Sequence, residues 1–116
     1  MKKSFEEKIR CAAEILKGSK RGVVLTGAGI STPSGIPDFR SVNSGLWERY
    51  DPMKVASLST FRYHPEDFFD WMRYLAKEIH LAQPNPAHYA VAKLEAAGLI
   101  GTVITQNIDA LHQRAG

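Results

Sequence analysis

Gly27-Ala28-Gly29-Ile30-Ser31-Thr32-Pro33-Ser34-Gly35-Ile36-Pro37-Asp38-Phe39-Arg40 directly follows an apolar run, Val23-Val24-Leu25. That run has the length and β-branched content of a short buried strand, at about residues 22–26. A strand feeding a glycine-rich turn delivers bare backbone N–H groups to a phosphate, because glycine has no Cβ to hold the anion away. Pro33 and Pro37 stiffen the turn, Asp38 can bond its backbone, Phe39 offers an apolar plate and Arg40 a permanent cation. Gly27-x-Gly29 alone is a weak signal: Thr32 holds the third position of the dinucleotide fingerprint, and the next glycine is Gly35. Taken singly, Asp38 and Arg40 read as a surface ion pair. The string as a unit is far more specific than any part of it.

A second stretch, Thr105-Gln106-Asn107-Ile108-Asp109-Ala110-Leu111-His112, has the same design. It follows the β-branched run Val103-Ile104-Thr105 and ends in a cluster of amide and carboxylate groups. Polar groups at strand ends are where open α/β sheets take ligands.

Between the two, the pattern is mostly helical. Ser4 and Glu7 form a capping box, Phe5, Ile9, Ala12 and Leu16 recur at helical spacing, and Gly18 stops a helix over about 5–17. Its apolar stripe should pack on the elements next in the chain, with Cys11 as a small buried hydrophobe. Ser41 through Gly45 reads as loop, Leu46 to Tyr50 as the start of a short helix, and Asp51-Pro52 as the cap and start of another. Pro65, Glu66 and Asp67 open a helix running to about residue 81. Phe68, Phe69, Met72, Leu75, Ala76 and Ile79 make its apolar face, which reads as core. Asn85 and Pro86 begin a further helix that Gly98 ends, with Tyr89, Val91, Ala92 and Leu94 facing inward. A strand over Leu99 to Thr105 and a helix over Asp109 to Ala115 complete the order. Strand, helices and strand in this sequence predict a parallel pair from a doubly wound, Rossmann-like sheet. Two strands do not make a stable sheet, so the pattern is that of the opening of a fold.

Composition narrows the function. The chain has 116 residues, 44% of them hydrophobic, and a net charge of +3 with scattered basic residues. A globular chain of this length buries roughly two-thirds of its unfolded surface. Nothing marks a direct nucleic-acid reader, a membrane span or a secretory signal, so a soluble, cytoplasmic protein is the expectation. Cys11 is the single cysteine, which leaves no Cys-x-x-Cys pair for zinc; no metal ligands are assigned in these residues.

The fourteen-residue loop resembles that of the sirtuins, the NAD-dependent protein deacylases, at every fixed position. Thr105-Gln106-Asn107-Ile108-Asp109, continued by Leu111-His112 and Ala115-Gly116, resembles the second signature of that family. The likeness runs from about Arg21 to Gly116 and includes Pro84-Asn85-Pro86-Ala87-His88. It implies NAD as cofactor and an acyl-lysine protein as substrate, giving deacylated lysine, nicotinamide and 2′-O-acyl-ADP-ribose. It further implies that Gly27, Ala28, Gly29 and Ser31 lie at the cofactor, with the first serine and its neighbours against the phosphates. Thr32, Asp38, Phe39 and Arg40 would form the cofactor loop, with Phe39 keeping water from the reacting sugar carbon. Gln106 and Asn107 would face the nicotinamide ribose, and Ile108 and Asp109 would hold the nicotinamide. Asn107 and Asp109 are thus the implied catalytic residues. About 41–83 would supply cofactor-loop and helical small-domain elements.

The family's general base is a histidine in a His-Gly pair some distance after the Ala-Gly, and no residue here matches it. His112 is expected to make a structural hydrogen bond, and His64, His80 and His88 to be structural or solvated. Zinc and the acyl-peptide groove are expected outside these residues, and the 116 residues alone are expected to be a truncated, inactive portion. Sirtuins that favour acidic acyl groups carry a Tyr-x-x-Arg pair in the helix over 65–81; those positions align with Met72 and Leu75, which implies a preference for acetyl. Two other readings stand beside this one: a non-catalytic NAD-binding or interaction fragment, and another NAD-consuming transferase or hydrolase.

Overall fold

A computed structural model describes residues 2–116. Ser4 caps the first helix, α1 (Phe5–Gly18), and both halves of the capping box form: Ser4 Oγ accepts from Glu7 N–H at 3.2 Å, and Glu7 accepts from Ser4 N–H at 2.7 Å. Strand β1 (Val23–Thr26) comes next, and the glycine-rich segment winds into two single 3-10 turns, Ala28–Ile30 and Thr32–Ser34. A third 3-10 turn, Leu46–Glu48, precedes α2 (Pro52–Val55), α3 (Leu58–Tyr63) and α4 (Pro65–Leu81). Helix α5 (Pro86–Ala96), strand β2 (Thr102–Thr105) and helix α6 (Leu111–Ala115) complete the described residues.

The strands pair in parallel, Val23 with Thr102 through to Thr26 with Thr105. That register sets the two polar segments side by side at the carboxyl ends of adjacent strands, as expected for a doubly wound sheet. Gly22 and Gly101 tighten the opposite end: Gly101 N–H donates to Gly22 O at 2.9 Å, and a Cβ on Gly22 would meet Leu99 O at 2.7 Å.

The core lies to one side of the sheet ends. Ile36, Leu46, Trp71, Leu75, Ala82 and Leu111 are buried together, with Phe39, Trp47, Tyr50, Phe68 and Met72 packed on them. The buried face of α4 is therefore set by Trp71 and Leu75, not by Phe69 and Ala76, which are exposed. Phe69 instead turns edge-on to Phe68 at 5.4 Å in an exposed aromatic group with Phe61.

Other expectations also need correction: β1 is not a buried strand, since Val23 is 56% and Leu25 67% exposed, and α6 begins at Leu111 and not at Asp109. The stripe of α1 is largely uncovered: Phe5 is 77% and Ile9 53% exposed, only Leu16 is half-buried, and Cys11 is exposed as well. Tyr89 points outward, and His88 is the buried residue of α5. Strand β2 begins at Thr102 because Gly98, at φ +72°, and the turn after it occupy 97–101. The helix expected from Asp51-Pro52 ends at Val55, and a separate one, α3, capped by Ser57 through Thr60 N–H, follows it.

The surface is larger than the mass warrants. It measures 8567 Å², against roughly 6,300 Å² for a compact chain of 12.9 kDa. Little more than half of the extended chain's surface is buried, short of the two-thirds that length alone predicts. No helix among the described residues is long and apolar enough to cross a membrane.

Candidate active site

The two polar segments are joined by a buried hydrogen-bond network. Thr26 Oγ1 donates to Thr105 Oγ1 at 2.9 Å across the strand pair. With that proton committed, His112 Nε2, 2.8 Å from Thr26 Oγ1, is left to donate. His112 thus makes the structural hydrogen bond expected of it. Asn107 reaches back to the glycine turn, its Nδ2 donating to Gly27 O at 2.9 Å and to Ser31 Oγ at 3.3 Å.

Ser31 is the centre of the network and is 1% exposed. Its hydroxyl donates to Asp109 Oδ2 at 2.6 Å, while Asp109 Oδ1 accepts from Leu111 N–H at 2.9 Å. Charge-assisted bonds of this kind fix a carboxylate in place. Ala110, at φ +58°, turns the chain so that α6 starts directly behind Asp109.

Asn85 and His88 support the glycine turn from below. Asn85 Nδ2 donates to Ile30 O at 2.8 Å and Ser34 Oγ at 2.9 Å, and its Oδ1 caps α5 through Ala87 N–H. His88 closes a capping box: its Nδ1 accepts from Asn85 N–H at 3.2 Å. A neutral His88 therefore carries its proton on Nε2, which faces Ser31 Oγ at 3.5 Å. Burial holds this imidazole below its ordinary pKa; His112, whose ring centre lies 5.0 Å away, adds to the effect, and Asp109 opposes it.

Above the network lies a cavity of about 170 Å³. Its walls are apolar, from Ile36, Pro37 and Phe39 on the loop and Trp71, Met72, Leu75 and Ile79 on α4; Asn107 and Asp109 supply the polar side. A second cleft of about 270 Å³ is lined by Ala28, Gly29, Asp38, Phe39, Arg40, Gln106 and Asn107. Phe39 lies on both, between an apolar slot floored by a carboxylate and an open cleft edged by a guanidinium.

Phe39 is held where it is. Leu46 N–H donates to Asp38 O at 2.8 Å and Trp47 N–H to Phe39 O at 2.9 Å. Asp38 accepts from Ser41 N–H at 3.0 Å and from the Ser41 hydroxyl. Asp38 is thus a loop brace and not the partner of Arg40.

Most of the residues singled out in the sequence converge on these two clefts. Gly27 and Thr32 do not: Gly27 contributes its carbonyl to Asn107 from behind, and Thr32 Oγ1 donates to Gly29 O at 3.0 Å. Ser31 is brought in, with its hydroxyl already engaged by Asp109. Sequence reasoning misses Trp71, although it stands at helical spacing from Phe68 and Leu75. Asn85-x-x-His88 has capping-box spacing with histidine where glutamate is usual, so its pairing is also legible in the sequence.

The Sir2 family model matches residues 27–116. This chain belongs to the Sir2 family. It is 56% identical over 97% of its length to an NAD-dependent protein deacylase 2 of Archaeoglobus fulgidus, and spans 44% of that relative. A solved Sir2 enzyme structure is 54% identical, with a TM-score of 0.84, over 97% of this chain and 44% of that one. A Sir2 structure with a p53 peptide and NAD+ is 47% identical, with a TM-score of 0.81, over 93% of this chain and 42% of that one. The Sir2 chain described here therefore spans less than half the length of these relatives. The match to the family model begins at Gly27, where the loop leaves β1, whereas the likeness to the relatives extends N-terminal to it.

Proposed function

We propose that this chain is the cofactor-binding portion of an NAD-dependent protein-lysine deacetylase, yielding nicotinamide and 2′-O-acetyl-ADP-ribose. The observation that carries the reading is the pairing of Asp109, fixed by Ser31 and Leu111, with an apolar slot that Phe39 covers. NAD, when bound, supplies a ribose carbon able to accept the acyl oxygen, and nicotinamide as the leaving group.

The residues fit such a cofactor. Gly29 is exposed and a Cβ there would have nothing within 4 Å, so the turn presents an open backbone to the second cleft. Ala28 and Gly29 head a helical turn, where N–H groups have no acceptor within the turn. Arg40 edges the same cleft and supplies the charge to oppose a pyrophosphate. In the slot, Asp109 retains lone pairs to accept from a carboxamide N–H, and Ile108 and Phe39 flank a planar ring. Asn107 has both Nδ2 protons engaged, which leaves Oδ1 to accept from a ribose hydroxyl or a water. Phe39 excludes bulk water, which strengthens each of these interactions. Zinc is proposed only outside these residues; no three His, Cys, Asp or Glu side chains among the described residues group to hold a metal.

Calorimetric titration with NAD tests the reading. The longest natural polypeptide containing this sequence should bind NAD, Asp109→Asn should weaken binding, and an acetyl-lysine peptide should be deacetylated only with NAD present. Binding without turnover would favour a non-catalytic NAD-binding protein, and no binding would overturn the proposal.

A further inference from the structure

Trp71 lies in the wall of the apolar slot and is 7% exposed. Its indole Nε1 is the one buried side-chain nitrogen or oxygen among the described residues that has no hydrogen-bond partner. Buried donors without acceptors are rare, and each calls for an explanation. Phenylalanine would fill the same wall with no orphaned N–H. The indole packs on Trp47, centroids 6.0 Å apart, and on Phe68, also at 6.0 Å. Neither ring offers it an in-plane acceptor.

We propose that the Trp71 Nε1–H is a specificity-determining donor that pairs with the carbonyl oxygen of a neutral amide bound in this slot. The inference rests on the reading of the site given above. Two parts of the proposed reaction carry such a carbonyl, the carboxamide of nicotinamide and the amide of an acyl-lysine. Phe39 and Trp47 are tied together through Trp47 N–H and Phe39 O at 2.9 Å, and their rings lie 5.2 Å apart. The Nε1 is closed to solvent, so pairing requires that a guest beneath Phe39 displace this pair, which stacks on Trp71, and reach the indole edge. A donor in an apolar wall selects guests that bring an acceptor, because an apolar guest leaves the N–H unpaired.

The test compares wild type and Trp71→Phe in the longest natural polypeptide containing this sequence, with three probes: nicotinamide, an acetyl-lysine peptide and ADP-ribose. ADP-ribose has neither carbonyl. Trp71→Phe should weaken nicotinamide or the peptide by about 3- to 10-fold, the range of one neutral hydrogen bond, and leave ADP-ribose unchanged. Whichever probe responds identifies the carbonyl. A second readout needs only wild type: the indole N–H resonance of Trp71, assigned against Trp47→Phe, should move downfield with that probe and not with ADP-ribose. Equal loss for all three probes, or an unmoved resonance, would overturn the inference. Failure of wild type to bind either ADP-ribose or NAD would instead overturn the reading of the site.

Discussion

At the scale of single residues, Asp109 combines a structural role with a proposed chemical one. Removing its carboxylate leaves the Ser31 hydroxyl and Leu111 N–H without their acceptor in a buried site. Asp109→Ala should therefore lower stability by about 1–3 kcal/mol in urea unfolding, in addition to any effect on NAD. His88 makes stability depend on pH. Its folded pKa lies below the ordinary 6.5, so the unfolded chain binds the proton more readily. Its contribution is complete above about pH 6.5 and declines as pH falls from there toward the folded value. Protonation also removes the Nδ1 lone pair that accepts from Asn85 N–H. Urea midpoints measured at pH 7.5, 6.5 and 5.5 should fall with acidity, and His88→Asn should flatten the series. Met72 and Leu75 line the slot without any cation. A buried carboxylate there would lack a partner, at a cost of several kcal/mol. An acetyl-lysine peptide should thus exceed its succinyl counterpart in kcat/KM by on the order of a thousandfold.

At the scale of elements, what the sequence reveals depends on whether a rule is local. The Ser4 capping box, the Asp51 and Asn85 caps, Pro65 at the head of α4 and the left-handed Gly98 are all readable, because a cap needs only its own turn. The faces of α1 and α4 are not, since a face is decided by what packs on it. Trp71 displaces Phe69 from the core by stacking under Trp47, a residue 24 positions earlier in sequence. The two carboxyl-end motifs are legible as a pair through their preceding β-branched runs. Their joining through Ser31 is not, because a hydroxyl gives no sign in sequence of the carboxylate it will meet. Gly45 is another silent position. A Cβ there would meet Ser41 N at 2.7 Å and Phe39 O at 2.8 Å, with backbone on every side. Gly45→Ala should displace Phe39 and lower NAD affinity while the α5–α6 network persists. Calorimetry together with the His88 and His112 ring resonances would separate the two effects.

At the scale of the molecule, the open shape is the main physical fact. The radius of gyration is 17.6 Å, against roughly 13 Å for a compact chain of this length. The sheet has two strands, so each keeps an unpaired edge, and Leu25 and Ile104 are 67% and 55% exposed. Unpaired edges beside apolar surface favour association. The 116-residue polypeptide alone should bind a hydrophobic dye and elute above its monomer mass in light-scattering chromatography. A monodisperse monomer with a sharp melt and no dye binding would contradict this.

The aromatic stack behind Phe39 also gives the molecule an optical reporter. The sequence contains two tryptophans, and both belong to that stack, with indole planes inclined by 21°. Chromophores this close couple their electronic transitions, so the ultraviolet dichroism of the indoles depends on the angle and distance between Trp47 and Trp71. Trp47 N–H is bonded to Phe39 O, so a displacement of Phe39 would carry Trp47 with it. The position of the loop is thereby written into the absorption of polarised light, and any displacement of it on adding a ligand could be timed in a stopped-flow instrument without attaching a label.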